Sequence, residues 1–305
     1  MSLYAYQVFK TIYQQGSFVR AAEVLGLTPS AVSHIISELE KEVRVSLFVR
    51  GRKGVALTGD GEALLPYIMD LLSSHERLKQ QTAHLHGLEN GIVRIGTYGS
   101  VALQWLPEIA STFQKKHPNV SFYIYQGGTE DILDKFRDSH IDIAFLSIAA
   151  CSGKMPRGME SESLYLDPML CVAPRNFHPR NGQYVTIEEI QDYPFILQRA
   201  EFDPGVKALF ERYHLAVSSK FSITDDQYVA AMVSAGLGIA ILPELVVKGC
   251  TGTFSSYPLQ PAQYRSIDLA VRSESRKSPL IKLMLSHIRT TVKERFPITD
   301  ASTIL

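Results

Sequence analysis

The sequence predicts an α/β protein in three parts: a small helical domain ending in a basic hairpin, one long helix, and a larger α/β domain of two subdomains. Three observations predict it. Apolar residues recur at helical spacing through residues 1–57, leucines recur seven apart through residues 58–89, and strand and helix patterns alternate from Gly91 onward. The expected boundaries are 1–58, 59–89 and 90–305. The last part divides into 90–162 with 267–305 and a second subdomain at 163–266.

In the first part, Leu3, Tyr6, Phe9, Ile12 and Tyr13 form one buried stripe. Ser17 is placed as the N-cap of a second helix, whose face is Phe18, Ala21, Ala22 and Leu25, and Gly26 ends it. Thr28 caps a third helix, with Pro29 at the first helical position, where a missing N–H costs nothing. Val32, Ile35, Ile36, Leu39 and Val43 give that helix its buried side. Opposite them, Ser30, Ser33, His34, Ser37 and Lys41 fall on one line.

Two helices joined by a short glycine-containing turn match the helix-turn-helix unit, whose second helix enters the major groove. Small hydroxyl side chains let a helix approach base edges, and a histidine can donate to a guanine acceptor or a phosphate. Downstream, Leu47 and Phe48 read as core, and RGRKG reads as a hairpin tip bearing Arg50, Arg52 and Lys53. That is a winged helix-turn-helix with a basic wing set against backbone or minor groove. The formal net charge of the chain is zero, but between Lys41 and Lys53 five basic side chains face only Glu42. Such segregation suits a compact DNA-contacting element.

The long helix, from Thr58 to Glu89, places Leu64, Leu71, Leu78 and Leu85 at every d position of a heptad, with Ile68, His75 and Thr82 between them at a. It is expected to dimerise through Leu64, Ile68, Leu71, Leu78 and Leu85. Beyond it, GIVRIGT, a helix from Leu103 to Lys116, VSFYIYQ, a helix from Thr129 to Arg137 and DIAFLSI carry the βαβ rhythm of a parallel sheet. Near Ser163 the pattern restarts with PMLCVAP, PFIL, SKFSITD, a helix from Gln227 to Ala235, and GIAILP. The strand SIDLAVR and a helix through Leu280, Leu283, His287 and Ile288 follow. Two such halves leave a crevice at the carboxyl ends of their strands, where open α/β sheets bind ligands.

The stretches GSFVRAAEVLGLTPSAVSHIISELE, LFVRGRKGVALTGDGEALL, DIAFL and MVSAGLGIAILPE resemble those of LysR-type transcriptional regulators, and the resemblance covers essentially the entire chain. It implies a winged N-terminal domain on double-stranded promoter DNA, a dimerising linker helix, and an effector domain folded like periplasmic binding proteins. It also implies homodimers that often assemble into tetramers, a small-molecule inducer in the crevice, and RNA polymerase as a partner. In two places the sequence departs from the family pattern. His34 and Ser37 stand where Arg or Lys is frequent, and Arg44-Val45-Ser46 displaces the glycine usual before the Leu-Phe pair.

By the same resemblance, the turn after the first strand touches ligand, which carries onto Thr97, Tyr98, Gly99 and Ser100. The facing positions are Ser147, Gln198, Arg199 and Thr224. Gly99 permits close backbone approach, Ser100 with helix N–H groups suits an anion, and Arg199 is able to clamp a carboxylate bidentately. Tyr98 and Phe202 are candidates for an apolar wall. A carboxylate-bearing effector is therefore expected.

Other classes fit less well. The sequence contains no GxSxG, P-loop, HExxH or paired-carboxylate pattern, and GLG is too short for a dinucleotide fingerprint, so no enzyme and no cofactor are expected. Cys151, Cys171 and Cys250 lie far apart without a CxxC or Cys/His pairing, which argues against zinc or a disulfide framework. A thiol redox sensor of the same family remains an alternative, as does a small-molecule binding protein of the transport type. The N-terminus shows no basic leader with an apolar core, and no apolar run is long enough to span a bilayer. The expected location is the cytoplasm, without membrane contact.

Overall fold

The structure is a computed structural model that describes residues 2–51, 54–85, 91–150, 155–156, 158–198, 204–215, 219–223 and 225–296. The chain divides into two compact units, Met1–Leu88 with Arg137–His140, and Glu89–Phe136 with Ile141–Leu305.

In the first unit, α1 (Leu3–Gln15), α2 (Phe18–Leu25) and α3 (Pro29–Val43) close on a core of Phe9, Ile12, Ala21, Val32, Ile36, Leu39 and Leu47. Gly16 ends α1 in the left-handed region, at φ 59°. Ser17 then opens α2, its side chain accepting from the Arg20 amide. β1 (Phe48–Gly51) and β2 (Gly54–Leu57) form an antiparallel hairpin in which Gly51 pairs with Gly54. The hairpin is tied down twice. The Val55 amide donates to the Gly16 carbonyl at 3.0 Å. Glu40, on α3, accepts from the amides of Leu47 at 2.6 Å and Phe48 at 3.3 Å.

α4 (Gly59–Leu85) starts from Thr58, whose hydroxyl oxygen accepts from the Gly61 amide at 3.0 Å. Pro66 lies inside this helix and leaves the Glu62 carbonyl without its helical donor. The heptad reading divides here. Ile68 is buried and Leu64 half-buried, and both belong to the core of the first unit together with Leu72. Leu71 and Leu78 are 44% and 64% exposed, and Tyr67, one turn before Leu71, is 74% exposed. The exposed apolar stripe is thus Tyr67, Leu71 and Leu78, with Leu64 and Ile68 already spent on their own unit. The Leu85 side chain lies outside the described residues.

The second unit begins with β3 (Gly91–Thr97), α5 (Gly99–Gln104), α6 (Leu106–Lys116), β4 (Val120–Gln126), α7 (Thr129–Arg137) and β5 (Ile143–Leu146). The helix expected over Leu103 to Lys116 is therefore two helices, broken at the fully buried Trp105, with Pro107 in the first turn of the second. β6 (Met159–Pro174), β7 (Val185–Thr186), β8 (Phe195–Gln198), α8 (Pro204–Arg212) and β9 (Ser219–Ile223) follow. α9 (Asp226–Ser234), β10 (Ala240–Pro243), α10 (Glu244–Val247), β11 (Phe254–Gln260), β12 (Tyr264–Arg272) and α11 (Pro279–Arg295) complete the unit.

The main sheet has the order β4-β3-β5-β12-β6-β11-β7, with β10 also pairing β6. Its first part is the parallel sheet that the sequence suggested, and at its far edge β11 and β7 are also parallel. β3 runs parallel to β4 and β5, whereas β12 is antiparallel to both β5 and β6, and β6 is antiparallel to β10 and β11. β8 and β9 form a separate parallel pair. Nor does the pattern restart at Ser163, because β6 is one strand of 16 residues. Its first ten residues pair with β12 and its last six with β10 and β11, so continuous strands link the two halves of the unit. Each half keeps its own core, around Trp105, Phe113 and Phe145 in one and Phe195, Ile239 and Ile241 in the other.

The closing helix α11 docks on α6. His287 Nε2 lies 2.9 Å from the Thr112 hydroxyl and donates to the Ile109 carbonyl at 3.1 Å. Burial holds the His287 pKa below the ordinary histidine value of 6.5. As pH falls, the unfolded chain takes this proton first, so the group's contribution is complete above that value and is lost as pH drops through the lowered one. Acidification from about pH 7 to about pH 5 should then lower the urea midpoint of the wild type more than that of His287→Gln. Equal slopes in the two proteins would contradict this.

Candidate nucleic-acid interface and ligand cavity

The turn between α2 and α3 is built by Gly26, Leu27 and Thr28. Gly26 adopts φ 65°, and the Leu27 amide donates to the Ala22 carbonyl at 2.9 Å, closing the end of α2. Thr28 Oγ1 accepts from the Ala31 amide at 3.2 Å and lies 3.0 Å from the Ser30 hydroxyl. Ser30 therefore shares in the cap as well as standing on the outer face. Ser30, His34, Ser37 and Lys41 are exposed and Ser33 is half-buried, opposite the buried Val32, Ile36 and Leu39. The expected small polar face is present.

Glu38 was missed by the sequence reading. It lies beside Ser37 and accepts from Lys41 Nζ at 2.6 Å. The Lys41 hydrogen bond holds the Glu38 carboxyl below the usual range. Both ends are exposed, and such a pair contributes little and is open to competition from a phosphate. Arg44 ends α3 at φ 60°, a left-handed position that glycine would occupy at lower cost. Of the wing, Arg50 pairs with Val55 through the backbone. The side chain of Arg50 and all of Arg52 and Lys53 lie outside the described residues.

The second unit holds a cavity of about 470 Å³ whose lining includes Tyr98, Gly99, Ser100, Gln126, Asp225, Asp226, Leu245 and Arg265. It lies at the carboxyl ends of β3, β4, β9 and β10, as expected for an open α/β sheet. The turn from β3 into α5 supplies Tyr98, Gly99 and Ser100. Thr97, just before it, is fully buried and donates to the Tyr98 carbonyl. Tyr98 is fixed by two bonds, its hydroxyl 2.8 Å from Thr129 Oγ1 and accepting from the Ser147 amide at 2.5 Å. Ser147 is buried and bonded to the Ser266 hydroxyl at 3.1 Å. It supports Tyr98 and does not face the cavity. A side chain on Gly99, the first residue of α5, would meet the end of the flexible Gln126 side chain, with Nε2 at 2.8 Å.

The centre of the cavity is a residue that the sequence reading did not select. Arg265, on β12, donates from Nη2 to Asp167 at 2.6 Å and to the Ser100 hydroxyl at 3.0 Å, and its guanidinium lies over the Tyr98 ring at 5.3 Å. Asp167, on β6, is fully buried and also accepts from the Leu245 amide at 3.1 Å. Burial pushes its carboxyl above the usual value, against the downward pull of Arg265 and of the Leu245 amide. Arg265 Nε is buried and, among the described residues, has no acceptor. Leaving such a donor unmet costs about 1–3 kcal/mol. Asp167 was visible as a charged residue in an otherwise apolar run, LYLDPMLCVAP. Its partner was not. The side chain of Gln198 and all of Arg199, Phe202 and Thr224 lie outside the described residues.

Two of the three thiols are described. Burial pushes Cys171 up to about 12 and Cys250 up to about 11, which holds both as thiols near neutrality. Cys151 lies outside the described residues. Among the described residues no group of His, Cys, Asp and Glu is able to hold a metal ion, and no helix is long and apolar enough to cross a membrane.

Residues 3–62 match the family model for the bacterial regulatory helix-turn-helix protein, lysR family, and residues 86–293 match the LysR substrate binding domain. The chain belongs to the LysR family of transcriptional regulators. Its N-terminal helix-turn-helix is the DNA-binding part of a LysR regulator, and its α/β unit is the effector-binding domain. A relative, the uncharacterised HTH-type transcriptional regulator YvbU of Bacillus subtilis, is 28% identical over 93% of this chain and 97% of its own length. LrrA of Synechococcus elongatus, a probable HTH-type transcriptional regulator by description, is 28% identical over 96% and 98%. Among solved structures, full-length OxyR from Pseudomonas aeruginosa superposes with a TM-score of 0.76 at 19% identity, over 96% of this chain and 95% of its own. The effector binding domain of QuiR in complex with shikimate gives 0.59 at 20% identity, over 68% and 99%. CbnR complexed with its target DNA gives 0.55 at 18% identity, over 96% and 100%. These likenesses establish the shared fold.

Proposed function

We propose that the chain is a cytoplasmic, homo-oligomeric LysR-type regulator whose hold on promoter DNA is set by a small carboxylate-bearing effector. Residues 1–58 bind operator DNA, 59–89 join two copies, and 90–305 receive the effector between subdomains 90–162 with 267–305 and 163–266. Ser30, Ser33, His34, Ser37 and Lys41 read the major groove, and Arg50, Arg52 and Lys53 hold the flanking backbone. The observation that carries this reading is the largely buried Arg265, which lines a cavity and donates to the Ser100 hydroxyl there, in a chain that also presents a groove-sized polar helix face. A carboxylate placed there is met by the Arg265 guanidinium and the Ser100 hydroxyl and alters the closure of two halves joined by long strands. The DNA complex of CbnR and the shikimate complex of QuiR support the two halves of the proposal by analogy. RNA polymerase is the partner through which promoter occupancy changes transcription.

The second copy docks on α4 through Tyr67, Leu71 and Leu78, exposed at one-turn and two-turn spacings. The assembly is that homodimer or a pair of such dimers. Placing lysine at both Leu71 and Leu78 should reduce the sedimentation mass by at least half while leaving the helical signal intact. A mass equal to wild type would remove α4 from the assembly.

A further inference from the structure

We propose that Asp167 is a specificity-determining residue of the cavity: placed behind Arg265, it balances the guanidinium charge and so keeps simple inorganic anions out of a site that takes a carboxylate with an apolar body. The inference rests on the effector-binding reading of this cavity and concerns how that site chooses among anions.

Asp167 and Arg265 face each other across the β6–β12 register. Arg265 lines the cavity, and among the described lining residues it is the one cation. Asp167 has no exposed surface, so it acts on a ligand through Arg265. Its Oδ2 accepts from Arg265 Nη2 at 2.6 Å, and its Oδ1 accepts from the Leu245 amide at 3.1 Å, which fixes the carboxylate from the side of α10. The guanidinium has other supports. Nη2 also donates to the Ser100 hydroxyl at 3.0 Å, and the guanidinium carbon lies 5.3 Å from the centre of the Tyr98 ring. What Asp167 adds to this aim is an opposite charge at hydrogen-bond distance.

A largely buried guanidinium without such a partner draws in whatever anion the solution offers, because an uncompensated charge away from water is costly. Inorganic anions, abundant in any cell, then occupy the cavity ahead of a dilute effector. With Asp167 in place, an incoming anion gains little from charge alone. Its binding depends on contacts that an inorganic ion does not make. Leu103, Pro243, Leu245 and Val246 supply an apolar surface for those contacts, in a cavity of about 470 Å³ with room for a body beyond the carboxylate. The counter-charge thus converts an anion trap into a site that reads the rest of the ligand.

The test uses the full chain, with inorganic phosphate as the probe, titrated by calorimetry at constant ionic strength. A panel of small carboxylates is titrated into the wild type in parallel, and at least one should bind more tightly than phosphate. Asp167→Asn should bind phosphate at least about tenfold more tightly than the wild type. Asp167→Ser, with a small hydroxyl beside the Leu245 amide, repeats the measurement if the asparagine variant does not fold, and Trp105 fluorescence reports folding in each. Combining either change with Arg265→Gln should cancel the gain, because Asp167 acts through the guanidinium; a merely structural role predicts no gain to cancel. Equal phosphate affinity in the wild type and the folded Asp167 variant overturns the proposal, as does a gain that survives Arg265→Gln. If carboxylates bind the wild type under either of those results, the effector reading stands without this refinement. If no carboxylate binds the wild type, the carboxylate-effector reading falls and the proposal falls with it.

Discussion

Asp167→Ala lowers the stability of the second unit by about 3–5 kcal/mol, because it strands a largely buried guanidinium without the carboxylate it is joined to. Arg265 is largely buried and Asp167 fully so, and the pair is joined at 2.6 Å. Desolvation raises the Asp167 carboxyl even with Arg265 beside it, and a buried pair of this kind often contributes no more than apolar residues of similar volume. Asp167→Leu with Arg265→Met should accordingly recover most of the lost stability while abolishing the response to effector. The readout is built in. Trp105 is the chain's single tryptophan and lies in the core of that unit, so urea denaturation followed by its fluorescence reports the effector domain directly. A midpoint unchanged in Asp167→Ala would show that Arg265 finds another partner.

Ser33→Ala and His34→Ala each weaken specific operator binding by about 1–3 kcal/mol, roughly tenfold or more, and relax selectivity at the contacted base. Arg50→Ala and Arg52→Ala behave differently. They weaken binding to every duplex alike and reduce the slope against salt by about one unit each, since each phosphate contact releases its own counterion. Glu38→Gln is expected to strengthen non-specific binding modestly, because it frees Lys41 and removes a negative charge from the face. Titrations at two salt concentrations separate the classes. If His34→Ala and Arg50→Ala show the same pattern, the division between groove-reading helix and backbone-holding wing is wrong.

What could be read from the sequence was local. Ser17, Gly26, Thr28 and Pro29 declare their helix ends because capping depends on a few neighbouring residues. The strand VSFYIYQ and the helix from Thr129 to Arg137 stand where their periodicity placed them. The heptad reading was correct about spacing and incomplete about destination. Ile68 and Leu64 turn toward the core of their own unit, which a one-dimensional pattern does not reveal. The antiparallel course of β12 between β5 and β6 was hidden because a strand's direction within a sheet is a long-range property. The same reason concealed the site's centre. Asp167 and Arg265 are 98 residues apart, and only the β6–β12 register, which pairs their Cα atoms, makes them partners. Ser147, expected to face the ligand, instead donates its amide to the Tyr98 hydroxyl.

The central claim is that α3 reads DNA sequence. The most direct measurement is selection of fragments from the whole source genome by the purified full chain, with His34→Ala run in parallel. The account predicts a small set of strongly enriched sites sharing one motif, with enrichment lost or the motif degraded in the variant while weak binding to bulk DNA persists. Fragments recovered in proportion to their abundance, or the same motif returned with equal strength by His34→Ala, would contradict it.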